Sequence, residues 1–240
     1  MSDFQSTQKP AYTGIENLEI MKEARNYNNF IIKIIRKYAP KNLDANIYDF
    51  GAGIGQFSLI WEGINDKFKA IEIDPLLRKN LENKGIRVVT LDDIQKNSAE
   101  FIYSINVLEH IERDTEILDK LYEKMKPGCK ILVYVPAFNF LWTAMDDAVC
   151  HVRRYDRKSL ERKFLASGFI TDRLSYVDSA GFFATLIFKI FSKANGTLNP
   201  TLVKIFDVYF FPLGRVLDNL FFENIFGKNL LIVAHKPEDE

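Results

Sequence analysis

Cysteine is scarce in this chain: Cys129 and Cys150 are the only two in 240 residues. Two thiols make no disulfide framework, so a reducing compartment is expected. Net charge is missing as well, because 32 Lys and Arg balance 32 Asp and Glu. That speaks against a nucleic-acid partner, which ordinarily meets a basic excess or stripe. There is no long apolar run. The longest, Ala180 to Ile190, is interrupted by Lys189 and is too short to span a bilayer. The opening MSDFQSTQKP has neither the basic nor the apolar stretch of a signal peptide. A cytoplasmic protein is therefore expected. Histidine is rare too, with only His110, His151 and His235. The remaining composition, 47% hydrophobic and 27% charged, is that of an ordinary globular protein.

Strand and helix patterns alternate. After a polar arm over residues 1–16, apolar residues recur at helical spacing from Leu18 to Tyr38, and Pro40 ends the pattern. Short buried strands are expected at Ile47–Phe50, Phe68–Ile73, Val88–Leu91, Phe101–Asn106 and Ile131–Val135. Helices are expected at Gln56–Ile64, Pro75–Lys84 and Thr115–Met125, with a turn at Lys126-Pro127-Gly128. Such alternation means parallel strands joined by crossover helices, hence an α/β doubly wound sheet. Further on, residues 137–156 read as a loop rich in aromatics and charges. Arg157–Ser167 reads as a helix, and Ile170–Val177 and Leu230–His235 as strands. An aromatic-rich insertion, residues 179–228, separates those last two strands.

The chemistry concentrates in Ile47-Tyr48-Asp49-Phe50-Gly51-Ala52-Gly53-Ile54-Gly55, a strand running into G-x-G-x-G. Glycines permit a tight turn and let a ligand approach without a Cβ in the way. The nicotinamide fingerprint is G-x-G-x-x-G; here the third glycine comes one residue early. Glu72 follows about twenty residues later at the end of the second strand, where an acid accepts ribose hydroxyls. Asp92-Asp93-Ile94 follows the third strand. One of its carboxylates is placed for an adenine amino group and Ile94 for the ring, with the choice between the acids left open. All these positions fall at carboxyl ends of neighbouring parallel strands, where open α/β sheets bind ligands.

On these residues the chain resembles the class I S-adenosylmethionine-dependent methyltransferases. Tyr48 to Gly55 is similar to their first motif. Val107-Leu108-Glu109-His110-Ile111, then Leu121 and Lys126-Pro127-Gly128, resembles the LEH…KPGG stretch of the subgroup that includes ubiquinone-biosynthesis O-methyltransferases. Cys129 departs from that stretch, where a second turn glycine is usual. The resemblance covers residues 45–137. Asp146-Asp147 and His151-Val152-Arg153-Arg154-Tyr155 also resemble a subset linked to glycan or lipid pathways. The resemblance implies a Rossmann-like, mostly parallel sheet with an N-terminal helical cap and a helical insertion before the last strand. It implies one domain over 1–240: arm and cap helix 1–40, cofactor core 45–137, substrate-side loop, helix and strand 138–178, insertion 179–228, and last strand with tail 229–240. The implied activity is methyl transfer from S-adenosylmethionine, giving S-adenosylhomocysteine, to an oxygen of a small, saccharide or lipid-linked acceptor. The implied cofactor residues are Tyr27, Asp49, Gly51, Ala52, Gly53, Gly55, Glu72, Ile73, Asp92, Asp93, Ile94, Asn106 and Val107. Asn28 is a further residue that closes over the cofactor in that picture. The alternatives are a nicotinamide-dependent oxidoreductase and a cofactor-binding protein without turnover.

For acceptor deprotonation the candidates are His151 first and His110 second, since imidazole titrates near neutral pH. His235, near the last strand, reads as structural. Glu109, His110 and His151 are also the residues a divalent metal would use. Some relatives carry E-x-x-E-H, however, and Asn106 stands here where the first Glu would be, so no metal is assigned. Arg153, Arg154 and Tyr155 are expected to contact substrate, because guanidinium forks suit phosphate or carboxylate; the competing reading pairs the arginines with Asp146, Asp147 and Asp156. The insertion's Phe182-Phe183, Leu186-Ile187-Phe188, Phe206, Tyr209-Phe210-Phe211, Phe221-Phe222 and Phe226 read as a lid or dimer face, with peripheral membrane contact or an acyl-chain groove as the sharper alternative.

Overall fold

A computed structural model describes residues 14–42, 44–65, 67–191, 198–218 and 225–238. Phe221 and Phe222 of the insertion lie outside the described residues. Seven strands form one sheet: β1 (Ile47–Phe50), β2 (Lys69–Ile71), β3 (Val88–Val89), β4 (Ala99–Ile105), β5 (Met125–Pro136), β6 (Ile170–Val177) and β7 (Asn229–His235). Their order is β3-β2-β1-β4-β5-β7-β6. β1 to β5 run parallel, and β7 inserts antiparallel between β5 and β6. The order reverses at β1, so the cleft between the carboxyl ends of β1 and β4 is the place for a ligand.

Period-two alternation builds a core on each face of the sheet. Phe101, Tyr103, Leu132, Tyr134 and Val233 point to the face covered by α2 (Arg25–Tyr38) and α3 (Pro75–Asn83), meeting Ile31, Ile35 and Leu81. Ile102, Ile131, Val133 and Ile232 point the other way, onto Leu118 and Leu121 of α4 (Asp114–Lys124) and Leu160 and Phe164 of α6 (Arg157–Ala166). Asp74 caps α3 by accepting from the amides of Leu76 and Leu77 at 2.9 and 3.1 Å, with Pro75 opening the helix.

Three local expectations change. The helix expected over Leu18–Tyr38 is two helices, α1 (Ile15–Met21) and α2, meeting at a corner. Asn28 closes the end of α1, its amide donating to the carbonyls of Met21 and Lys22 at 2.9 and 3.3 Å. Asp207, about 180 residues away, caps α2 by accepting from the backbone amides of Asn26 and Tyr27, each at 2.8 Å. The helix expected over Gln56–Ile64 is only a 3-10 turn, Ser58–Trp61. Ser58 turns its hydroxyl to Asp49 and Gly63 takes a positive φ of 64°, so the chain leaves the helical path. The Lys126-Pro127-Gly128 turn is absorbed into β5, where the amide of Gly128 donates to the carbonyl of Lys236 at 2.7 Å.

Between β5 and β6, the expected loop holds a 3-10 turn, Asn139–Leu141, and α5 (Ala144–Ala148). The insertion holds α7 (Ser179–Phe191), α8 (Pro200–Ile205), a π-helical turn at Phe206–Phe210 and α9 (Phe211–Leu217). No described helix is long and apolar enough to cross a membrane. Because the buried Asp207 satisfies two amides of α2 from the insertion, it couples the insertion to the corner that carries Tyr27. Asp207→Ala is expected to lower stability by about 1–2 kcal/mol, the cost of a lost helix cap, with Asp207→Asn in between. Urea unfolding checks this; an unchanged midpoint would show that water replaces the cap.

Candidate active site

Backbone geometry at the carboxyl end of β1 follows from its glycines. Gly51, Gly53 and Gly55 have φ of 78°, 56° and 81°. At Gly51 a Cβ would run into the side chain of Val107, which follows β4. At Gly55 it would meet Leu81 at 2.6 Å and Ile86 at 3.3 Å. Only at Gly53 is there room, with Leu18 the nearest atom at 3.6 Å. Gly51 and Gly55 are thus glycines because the protein packs against them. Gly53 faces a large cleft of about 2480 Å³.

Tyr27, Asp49, Gly51, Ala52, Gly53, Glu72, Ile73, Asp92, Asn106, Val107, His110, His151 and Arg154 all line this cleft. Glu72 is buried and already engaged: it accepts from the amides of Gly53 and Ile73 at 2.8 Å each and of Asp74 at 2.9 Å. It therefore ties the β1 loop to the β2 loop. Asp49, also buried, accepts from the hydroxyl of Ser58 at 2.6 Å. Burial pushes its carboxyl up to about 7 against the partial relief given by Ser58 and Tyr103. Tyr27 packs edge-on against Tyr134 and Phe211, with ring centres 6.4 and 5.5 Å apart, and burial raises its phenol.

Five residues expected in the site stand elsewhere. Gly55 packs against α3 rather than the cleft. Asp93 accepts from the amide and hydroxyl of Thr90, both at 2.7 Å, so Asp92 is the acid that borders the cleft. Ile94 is sealed into the core beneath β4 and α4, and Leu91 lines the cleft in its place. Arg153 donates to Asp114 at 2.6 Å and to the carbonyl of Glu112 at 2.7 Å. The buried hydroxyl of Tyr155 donates to the same Asp114 at 2.8 Å. Lys163 reaches Asp114 as well, at 2.7 Å. Burial raises that carboxyl, but the bonds from Lys163 and Tyr155 outweigh it and hold the acid below its usual range. Arg153 and Tyr155 thus brace the loop against α4 and α6, and neither lines the cleft. The partners of the arginines are Asp114 and Asp146, and neither Asp147 nor Asp156 takes them.

Arg154 does border the cleft, but Asp146 takes its guanidinium in a two-pronged pair, Nε at 2.8 Å and Nη2 at 2.9 Å. Asp146 also accepts from the amide of Thr143 at 2.8 Å and lies 2.7 Å from Nδ1 of His151. Burial opposes the charge, yet His151 and Arg154 hold this carboxyl well below its ordinary value. His110 packs edge-on against His151 with ring centres 4.6 Å apart. Glu109 sits beneath both rings, fully buried, and burial pushes its carboxyl up to about 8. His235 lies away from the cleft, its Nδ1 2.7 Å from Asp172. Sequence reasoning did not find Asp114 or Asp207, whose partners are 39 to 181 residues distant. It also missed Leu18 and Met21 of α1 and Lys228, all of which line the cleft.

A family model described as a methyltransferase domain matches residues 23–173, and the chain belongs to that family. No curated protein matches it. Solved structures share the fold. A protein of Thermotoga maritima described as a methyltransferase dependent on S-adenosylmethionine, and as a candidate histamine N-methyltransferase, superposes with TM-score 0.62 at 13% identity, covering 92% of this chain and 94% of that one. Geranyl diphosphate C-methyltransferase from Streptomyces coelicolor, in complex with Mg2+, geranyl diphosphate and S-adenosylhomocysteine, gives TM-score 0.62 at 10% identity over 98% and 89%. Phosphoethanolamine N-methyltransferase 2 of Haemonchus contortus, with S-adenosylmethionine, gives 0.59 at 13% over 98% of this chain and 62% of that one. The family match sets aside the nicotinamide-dependent reading.

The raised carboxyl of Asp49 sets a pH dependence. An unfolded aspartate ionises near 3.9, so between about pH 4 and pH 7 the folded state holds the extra proton. Stability contributed by the neutral acid is complete below pH 4 and is lost as pH rises to about 7. Asp49→Asn removes that loss. Relative to wild type, the variant should gain stability from pH 5 to pH 7 by up to roughly 1.4 kcal/mol per unit, and hold level above that. Parallel urea curves at pH 5, 6, 7 and 8 test this; a constant difference would show that Asp49 ionises normally.

Proposed function

We propose that this chain transfers a methyl group from S-adenosylmethionine to an oxygen of a small, saccharide or lipid-linked acceptor, releasing S-adenosylhomocysteine. The observation that carries the reading is one continuous cleft. It joins the glycine cradle at β1 to the His110–His151 pair and then to the apolar walls of α7, α8 and α9.

The residues fit the cofactor. The open space over Gly53 is a cradle that a side chain would fill. Glu72 marks the ribose position, with Ile73 beside it, and Asp92 the adenine edge. Asp49 sits at the methionine end, where a cationic ligand would favour its ionised form. Asn106 and Val107, which follow β4, stand beside the reacting centre, with Tyr27 above. When bound, the cofactor supplies a methyl on a sulfonium, ready for in-line displacement. The protein's work is to hold the acceptor in line, exclude water and take the hydroxyl proton. That last task falls to the His110–His151 pair, with His151 fixed by Asp146.

Support for an oxygen acceptor comes from the likeness of Leu108-Glu109-His110 and Lys126-Pro127-Gly128 to the ubiquinone-biosynthesis O-methyltransferases. Support for an apolar or lipid-linked acceptor comes from the far wall. Ile187, Leu202, Phe210 and Leu213 line the cleft yet remain 59%, 62%, 55% and 60% exposed. Such a slot, open to the surface, suits a chain presented from a lipid phase. In this reading the insertion touches a membrane peripherally from the cytoplasmic side.

Calorimetry with S-adenosylhomocysteine tests the cradle. Gly53→Val should abolish binding, and Glu72→Ala should weaken it by about 1.5–3 kcal/mol. Unchanged affinity in a folded Gly53→Val protein would remove the ligand from this turn. With methyl-labelled cofactor and fractionated extract, label should enter lipid or saccharide. Label entering protein or RNA would overturn the acceptor assignment.

A further inference from the structure

We propose that Glu109, His110 and His151 form a binding site for a transition-series dication of the zinc kind at the acceptor end of the cleft. The proposal rests on the reading of that end as the place where a hydroxyl is activated, and it names how.

One ligand atom from each residue lies within 4.8 Å of the other two. Two histidines and one carboxylate, with a further position open to the cleft, match the ligand set of catalytic zinc sites. A single carboxylate among imidazoles is too poor in oxygen for magnesium or calcium.

Glu109 is the independent observation. It has no solvent exposure, and among the described residues neither carboxylate oxygen accepts a hydrogen bond from another residue. A buried carboxylate with both oxygens unserved is costly unless something binds it. Nε2 of His151 is 3.8 Å from its Oε1. That gap is too long for a hydrogen bond. It is close to the roughly 3.3 Å that separates two ligand atoms on one tetrahedral ion with bonds of about 2.0–2.1 Å.

The orientation of His151 fits the same purpose. Asp146, kept anionic by Arg154, offers only acceptors, so Nδ1 of His151 must donate to it. The neutral ring then carries its lone pair on Nε2, toward Glu109. A carboxylate behind a histidine is the support that metal-binding imidazoles ordinarily have, fixing tautomer and ring angle. Asp146 is a positioning residue here, and Arg154 acts through it. A dication at this point would lower the pKa of an acceptor hydroxyl, whose proton would then pass to solvent in the cleft. The two rings would serve as ligands in place of their base role, since a metal-bound imidazole nitrogen has no lone pair to take a proton.

The test is direct metal binding to the full chain after chelator treatment. Zn2+ or Co2+ is added and bound metal is measured by elemental analysis and by the visible Co2+ absorption. One ion per chain is expected, with the strong absorption of a tetrahedral Co2+ site. Glu109→Gln and His151→Ala should each weaken binding at least about tenfold, and Asp146→Asn by about 10–100-fold. Affinity for S-adenosylhomocysteine, read on the same samples, reports that each variant is folded. His151→Ala leaves the Asp146–Arg154 pair in place and so guards against a folding failure. Wild type without stoichiometric metal overturns the proposal, as do variants that bind as tightly as wild type. Cofactor binding without metal would sink this inference and leave the proposed function standing; metal binding without cofactor would do the reverse.

Discussion

Gly51 stands where the sheet reverses direction, and nothing larger than hydrogen fits there against Val107. That close approach draws the loops after β1 and β4 together and sets the floor of the cleft. The amides of Gly51 and Ala52 also donate to the carbonyl of Ile71 on β2, at 2.8 and 3.2 Å. A third link, from Gly53 to Glu72, keeps the loop from sliding. The cradle is thus fixed from three neighbouring strands, by backbone bonds to β2 and by two buried side-chain contacts, Val107 against Gly51 and Glu72 on the amide of Gly53.

The histidine end of the cleft and the loop behind it are built in another way, by buried carboxylates that each serve several partners. Asp146 holds Thr143, His151 and Arg154; Asp114 holds Arg153, Tyr155 and Lys163. Asp207 and Asp218 do the same for helix starts: Asp207 caps α2, and Asp218 accepts from the amides of Asp178 and Ser179 at the start of α7, both at 3.1 Å. Removing one member of such a buried set leaves the others unpaired, so these groups act as units.

This division explains what could be read in advance. The alternation of apolar strands with amphipathic helices, the glycine turn and Glu72 are local in sequence, because each lies within one strand and the turn that follows it. Placing Asp92 above Asp93 was not local. It turned on which carboxylate reaches back to Thr90, a matter of one turn's dihedrals. Ile94 looked like a ring-stacking residue because it follows the acids, yet the core beneath β4 claims it. The assignment of Arg153 and Tyr155 to substrate failed for a related reason. A run of guanidinium and phenol groups looks the same whether it faces a ligand or a buried acid contributed by another element. Asp114 supplies that acid from 39 and 41 residues away, and nothing in the spacing announces it.

The tied-down charges also sharpen the meaning of Glu109. Beside the histidines Arg154 is neutralised by Asp146, and behind the loop Arg153 and Lys163 by Asp114. Arg154 reaches Glu109 only through its field and forms no ion pair with it; among the described residues the imidazole Nε2 of His151 lies 3.8 Å from Glu109 Oε1. The fold therefore spends its arginines on supporting loops and leaves one sealed carboxyl facing two rings. Had the surroundings been purely structural, a hydrophobic residue would fill the same volume at less cost. Glu109 therefore stands out on geometry: it is a carboxylate without solvent exposure, neither oxygen of which accepts a hydrogen bond from another of the described residues, close to two imidazole rings at the edge of the cleft.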